Sequence, residues 1–187
     1  MEESGSIKGR LLELMAEKAY LKGDFLLTSG KHSNHYFDLK MLTLDPEGLA
    51  LIAELLVDRL KEAGITAIGG LAIGADPIVA GVVHASWQSG YPVQGFIVRK
   101  EPKGHGTGSR IEGPVTPGTA VALVDDVVTS GGSIIRAAEG ARAEGLDPMV
   151  ALAVVDREEG GGEKIRDDCG LELKSLFKYS ELNLGGA

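Results

Sequence analysis

An α/β fold with a central, mostly parallel sheet is what this sequence predicts, and three observations carry the prediction. Apolar runs recur at 67–71, 93–98, 121–124 and 150–155, unbroken except at Gln94, each short enough for a strand. Segments with helical spacing stand between most of them, notably 77–88 and 133–143. Glycine, acidic or hydroxyl residues close the runs where a strand would hand over to a helix. Unbroken apolar runs suit strands covered on both faces, and their alternation with helices implies parallel pairing.

Taken in order, Ile7, Leu11, Leu14, Met15 and Leu21 recur near a helical period, so an amphipathic helix is expected over about 6–22, stopped by Gly23. Phe25-Leu26-Leu27 and His35-Tyr36-Phe37-Asp38-Leu39 read as short strands around the turn Ser29-Gly30-Lys31. These elements suggest a small N-terminal subdomain of about residues 1–40, followed by an α/β core over about 41–187, within a single domain of 187 residues. Asp45-Pro46 supplies an N-cap and a proline in the first turn, and Leu49, Ile52, Leu55, Leu56 and Leu60 continue that helix to a stop at Gly64. A strand at 67–71, a helix at 77–88, strands at 93–98 and 121–124, a helix at 133–143 closed by Gly145, and a strand at 150–155 follow. Residues 173–177 add a last strand, and the Gly185-Gly186 tail is expected to fray.

Composition narrows the function. A net charge of −8 and a pI near 5.0 disfavour nucleic-acid binding through a broad basic face. One cysteine, Cys169, excludes an intrachain disulfide. The opening Met1-Glu2-Glu3-Ser4-Gly5 is acidic, and no apolar run approaches the ~18 residues of a membrane span, so a cytoplasmic protein with no membrane partner is expected. His32, His35 and His84 form no metal-site spacing with Cys169, which argues against a zinc protein.

The densest chemistry lies at 121–133. The strand Val121-Ala122-Leu123-Val124 runs into Asp125 and Asp126, then Val127, Val128, Thr129, Ser130, Gly131, Gly132 and Ser133 lead into a helix. The end of such a strand is where open α/β sheets hold ligands, and the first turn of the following helix offers unpaired N–H groups to a phosphate. Glycines let an anion approach the backbone, the hydroxyls of Thr129, Ser130 and Ser133 add donors, and ionised Asp125 and Asp126 can accept from two neighbouring sugar hydroxyls. The segment therefore reads as a ribose-phosphate cradle. A Walker B strand has the same apolar-then-acidic outline, but the companion G-x-x-x-x-G-K-[ST] is absent. A purely structural strand-turn-helix needs one N-cap, not two acids with three hydroxyls and two glycines.

Residues 99–118 are long for an α/β connection. Within them, 99–110 gather Arg99, Lys100, Lys103 and Arg110 with His105 in an otherwise acidic chain, interleaved with Gly104, Gly106 and Gly108. A mobile cationic loop of this kind suits a lid over a departing polyanion, and its place after a strand of the same sheet favours that role over a merely solvated loop. The glycines lack the spacing and the following helix of a dinucleotide fingerprint.

Two acids followed by T-[SAG]-G resemble the 5-phosphoribosyl 1-diphosphate (PRPP) motif of type I phosphoribosyltransferases. Arg99, Lys100, Lys103 and His105 match the R-K-x-x-K-x-H-G loop of the orotate phosphoribosyltransferases, residues 26–37 are similar to that family's L-x-S-G-x-x-S-x-x-Y-[FI] segment, and 154–160 to its V-x-D-R-x-E-x-G turn. The resemblance spans about residues 25–160 in the expected order. It implies the type I phosphoribosyltransferase fold with a small N-terminal hood, a flexible loop over 99–113, and transfer of ribose 5-phosphate from PRPP to N1 of orotate in pyrimidine biosynthesis. By the same resemblance, Lys103, His105, Asp125 and Asp126 are catalytic. PRPP is held by Arg99, Lys100, Lys103, His105 and residues 125–133. Orotate meets Thr129, Arg157, Tyr36, Phe37 and Lys31.

Also implied are Mg²⁺ held through PRPP and waters with no dedicated protein site, and a homodimer whose loops reach across to the neighbouring subunit. Two departures stand out. Lys31 lies beside His32 where many members carry one lysine, so which of the two meets ligand stays open. Leu71-Ala72-Ile73-Gly74-Ala75-Asp76-Pro77 replaces a loop that often carries Tyr-Lys, leaving diphosphate to backbone N–H groups, with Asp76 helping through metal-bound water. A non-catalytic PRPP-binding regulator on this fold would need no leaving-group loop, and Arg157 with the histidine-containing loop disfavours a purine or uracil substrate.

Overall fold

The computed structural model describes residues 6–26, 32–101 and 109–182. Ser6 caps the first helix by accepting the Gly9 N–H at 3.0 Å, and α1 (Ile7–Leu14) buries Leu11 and Leu14. The helix expected to 22 stops short. A single π turn at Met15–Ala19 ends it, and β1 (Tyr20–Leu26) pairs antiparallel with β2 (His32–Phe37). The apolar stripe closes at Ala19, whereas Leu21 is 45% exposed and belongs to a strand. Gly23 is no helix stop; it lies where the register of β1 and β2 shifts between Lys22 and Phe25. Leu39, expected in a strand, is buried at the entrance to the short helix α2 (Lys40–Thr43).

The core follows the sequence more closely. Asp45 caps α3 (Pro46–Ala63) through the Gly48 N–H at 2.9 Å, and Gly64 closes it at φ +67°. Then come β3 (Ala67–Leu71), α4 (Asp76–Gln88), β4 (Gln94–Val98) and β5 (Ile111–Glu112). The chain continues through β6 (Ala120–Val128), α5 (Gly132–Ala143), β7 (Asp147–Asp156), α6 (Gly161–Cys169) and β8 (Leu173–Lys178), and a 3₁₀ turn at Tyr179–Glu181 follows. Gly145, at φ +78°, ends the α5 connection as expected.

Three features depart from expectation. The long connection after β4 is not one open loop, because β5 pairs antiparallel with β4 and the Arg99 N–H donates to the Arg110 carbonyl at 2.8 Å. The strand at 121–124 extends through both acids to Val128, since β7 is long enough to pair with it up to Asp156. Helix α6 was not expected; Ile165 and Cys169 are its buried side chains, too few to set a period.

The six-stranded sheet has the order β5-β4-β3-β6-β7-β8, parallel except at β5. The chain steps outward from β3 to β4 and later resumes at β6 on the other side of β3, so the β3/β6 junction is the switch point at which such sheets bind ligands. Successive residues of β6 divide between two cores. Ala122 and Val124 join Ile52, Leu56 and Ile78 of α3 and α4, while Val121 and Leu123 join Ala137, Ala138 and Ile165 of α5 and α6.

β3 and β6 lie close because Gly70 has no side chain. A Cβ there would sit 2.2 Å from the Val124 carbonyl oxygen and 2.5 Å from Ala75 Cβ. Both obstacles are at the centre of the sheet or its first loop, so Gly70→Ala is expected to cost about 1–3 kcal/mol in urea unfolding, as overpacking does. An unchanged midpoint would mean that the sheet can open there.

Candidate active site

Three loops converge at the carboxyl ends of β3, β6 and β7. The first, 72–75, passes directly over the paired acids. A Cβ on Gly74 would lie 3.2 Å from Asp125 Oδ1 and 3.4 Å from Asp126 Oδ1, so glycine permits this approach. The peptide between Ala72 and Ile73 is cis. The second loop, 129–131, turns through Gly131 at φ +76° into α5. A side chain at Gly131 would also strike the Gly161 carbonyl oxygen at 2.8 Å, so this turn rests against the first turn of α6. The third, 157–160, is tied to β6 by the Arg157 N–H, which donates to the Val128 carbonyl at 2.9 Å.

Asp125 is 8% exposed on the central strand. Its Oδ1 accepts the Asp126 N–H at 3.1 Å, and Asp126 Oδ1 accepts the Val127 N–H at 2.8 Å. Burial first, and the neighbouring Asp126 charge second, push the Asp125 carboxyl up to about 7, against smaller lowering effects of hydrogen bonds that include Ser133. Lys40 Nζ stands 4.0 Å from Asp126 Oδ2, a cation that sequence reading did not single out. Asp76 Oδ1 is buried without a hydrogen-bond partner, and burial raises that carboxyl too.

Arg157 is nine-tenths buried. Its Nε is 3.0 Å from Glu159 Oε1, inside ion-pair range, yet the N–H is not aligned for a hydrogen bond and has no other acceptor. The surface pairing weighed against a binding role is therefore present, but in a desolvated setting that leaves a donor unmet. At the β4 edge, Arg99 Nη1 reaches Glu112 Oε1 at 3.4 Å. Arg99 and Lys100 share an open recess of about 580 Å³ with Ala72, Ile73 and Asp76, which joins this edge to the loop over the acids. A groove of about 620 Å³ between α3 and α4 holds none of these residues.

One cation of the loop has a different task. Arg110 donates from Nε to the Arg99 carbonyl at 3.2 Å and from Nη2 to the Lys100 carbonyl at 3.3 Å, and its own N–H meets Glu144 at 3.1 Å. It clasps the loop's base rather than awaiting an anion. The structure thus brings together Asp125, Asp126, Val127, Thr129, Ser130, Gly131, Gly132, Ser133 and Arg157, with Arg99 and Lys100 at the adjoining edge. Val128 turns its side chain into the α5/α6 core. Lys31, Lys103 and His105 lie outside the described residues, and of Tyr36 and Phe37 only the strand backbone is described.

A parallel sheet with paired acids, a glycine-hydroxyl turn opening a helix, and a glycine loop over the acids at the switch point defines a phosphoribosyltransferase of the type I fold. No family model matches the chain. Curated relatives do: orotate phosphoribosyltransferases of Rhodopirellula baltica, 46% identical over 93% of each chain, and of Aquifex aeolicus, 46% identical over 92% of this chain and 94% of that one. The Mycobacterium tuberculosis orotate phosphoribosyltransferase crystallised with PRPP superposes with a TM-score of 0.80 at 30% identity, covering 95% of this chain and 99% of its own. The chain belongs to the orotate phosphoribosyltransferase family.

The raised Asp125 carboxyl has a measurable consequence. Between its ordinary value of 3.8 and about 7 the folded protein retains a proton that the unfolded chain has released, so stability falls as pH rises through that window. Asp125→Asn removes the penalty. Its melting temperature should exceed wild type at pH 8, with the gap closing toward pH 4; a gap independent of pH would show that Asp125 is ionised at no cost.

Proposed function

We propose that the converging loops divide the work of orotate phosphoribosylation among the residues that line them. The reaction moves ribose 5-phosphate from PRPP to N1 of orotate. The C1–O bond to diphosphate breaks with its electron pair going to diphosphate, the N1–C1 bond forms, the N1 proton is released, and orotidine 5'-monophosphate results, a step of pyrimidine biosynthesis. The observation that carries this reading is the Asp125–Asp126 pair, with Asp125 buried, between the glycine loop at 74 and the turn at 129–133.

As the C1–O bond opens, positive charge grows on the sugar and negative charge on diphosphate, so groups facing those charges lower the barrier. Asp125 and Asp126 accept from the ribose hydroxyls and favour the cationic sugar, Thr129, Ser130 and Ser133 with the α5 N–H groups hold the 5'-phosphate, and the N–H groups of 72–75 meet diphosphate. Arg99, Lys100, Lys103 and His105 neutralise the leaving group. Arg157 orients orotate by a two-point pairing with its carboxylate, with Thr129, Tyr36, Phe37 and Lys31 around the base.

Mg²⁺ suits the site because the unpartnered, buried Asp76 oxygen beside the Arg99 recess can hold a water of a hard cation. Bound there with PRPP, the ion offsets charge on diphosphate. A homodimer is supported by apolar side chains left at the surface: Ile73, at 70% exposure in the loop over the acids, and Val83 with Trp87, one helical turn apart farther along α4, the latter at 77%. No helix among the described residues is long and apolar enough to cross a membrane, and a single cysteine fits a reducing compartment, the cytoplasm.

The direct test follows orotate absorbance with PRPP and Mg²⁺. Orotate should be consumed while uracil, hypoxanthine and adenine are not; equal use of uracil would remove Arg157 from its role. Lys103→Ala should lower kcat far more than it weakens PRPP, because a closing loop acts chiefly at the transition state. Mixing Lys103→Ala with Asp125→Asn protein should restore activity through hybrid sites if the loop serves the partner subunit, and mixtures that stay inactive would assign the loop to its own subunit.

A further inference from the structure

Among the described residues, Glu158 is the one non-glycine residue with positive φ, at +57°. A left-handed glutamate is disfavoured, and such a conformation persists where its surroundings over-determine it. Here they do. The Glu158 N–H donates to Asp156 Oδ1 at 2.9 Å, and Glu158 Oε2 accepts the Ser180 N–H at 2.7 Å. Hydrogen bonds from the Ser180 hydroxyl first and its N–H second hold the Glu158 carboxyl below its ordinary value.

Ser180 lies in the 3₁₀ turn that follows the edge strand β8, and that turn is itself fastened by the Lys178 N–H donating to Glu181 Oε2 at 3.1 Å. The neighbouring Tyr179 is raised mainly by burial, then by Tyr20 of β1, and is lowered by Arg157, so the C-terminal turn, the first strand and the arginine share one environment. Arg157 stands between two anchors: its own N–H is bonded to Val128 at the end of β6, and the next residue is clamped to the C-terminal turn.

We infer that Glu158 is a positioning residue for base selection: through Ser180 it locks the 156–160 turn in the one conformation that presents the Arg157 guanidinium to the carboxylate of the base. Glycine would relieve the backbone there, and no large side chain is needed for packing because Glu158 is exposed. The residue that occupies the position does so for its carboxylate. The inference rests on the proposed role of Arg157 in binding orotate, and extends the orotate site to a segment at the far end of the chain.

The test compares Glu158→Gly, Glu158→Gln and Ser180→Pro with Arg157→Gln, measuring kcat and KM for orotate and for PRPP, with thermal melting as the folding control. Glu158→Gly removes the clamp while easing the backbone, so it should melt within a few degrees of wild type yet raise the orotate KM about tenfold, leaving kcat and the PRPP KM within about twofold, the pattern of lost substrate positioning. Glu158→Gln keeps an oxygen that accepts from Ser180 and should restore the orotate KM. Ser180→Pro deletes the donor from the other side and should reproduce Glu158→Gly, which covers a folding failure of either variant. An unchanged orotate KM in Glu158→Gly, a parallel rise in the PRPP KM, or a Glu158→Gln variant as weak as Glu158→Gly would overturn the inference. If Arg157→Gln itself leaves the orotate KM unchanged, it is the assignment of Arg157 that fails.

Discussion

A carboxylate held in the interior of a sheet is the constraint around which the rest of this molecule is arranged. Asp125 stands on the central strand, 8% exposed, beside a second acid, and neither water nor a cation in contact compensates it fully. It is stabilised by the Asp126 N–H and Ser133, neutral donors that fall short of a charged partner. A ligand that brings two hydroxyl donors to this pair supplies what the fold withholds. The same burial that disfavours the charge would make each hydrogen bond from such a ligand stronger, because little water competes.

Keeping those acids desolvated requires neighbours that come unusually near. Gly70 lets β3 close against β6, and Gly74 lets the next loop pass over both carboxylates. Gly131 reverses the chain into α5 while meeting Gly161 at the start of α6. On the proposed reading, the strand order then sorts the tasks: the β3 loop would face the leaving group, the β6 turn the phosphate and the β7 turn the base. The β4 edge carries the cationic segment, whose root is fixed by β5 and the Arg110 clasp.

Much of this was readable from residue patterns, for a physical reason. Strands covered on both faces must be apolar at every position, so 67–71 and 150–155 announce themselves, and Asp45-Pro46 with Gly64 marks a helix by the chemistry of its ends. The strand-turn-helix at 121–143 was readable because an apolar run, a glycine-hydroxyl turn and a helical stretch follow one another there. Phe25 and Leu26 were legible as strand, but the start of β1 at residues 20–24 was not, because its extended form depends on pairing with β2 rather than on any local period. Helix α6, with the sequence Gly-Gly-Glu-Lys-Ile-Arg-Asp-Asp-Cys, buries too little to show a stripe. Arg110 was counted with the anion-seeking cations since charge alone does not reveal that a guanidinium has carbonyls to meet. Glu158 carries no signal of a left-handed backbone, which here is imposed by Ser180, distant in sequence.

Three cations around the site already have carboxylate neighbours. Arg157 stands against Glu159 at 3.0 Å, Arg99 against Glu112 at 3.4 Å, and Lys40 is 4.0 Å from Asp126. In a chain of net charge −8 such pairing is the natural resting state, and it makes anion capture an exchange of partners. An exchange gains less than pairing with a bare cation, but it spares the fold a cluster of like charges that would repel one another before substrate arrives. The two exchanges differ. Arg99 and Glu112 are each 43% exposed, so water moderates what either loses, and that pair suits a diphosphate that must arrive and leave. Arg157, at 10% exposure, has little water to fall back on, so a planar carboxylate that satisfies its unmet Nε–H gains more than a neutral ring could. On the proposed reading, selection of the base therefore belongs at the buried end of the site, and release of the leaving group at its exposed end.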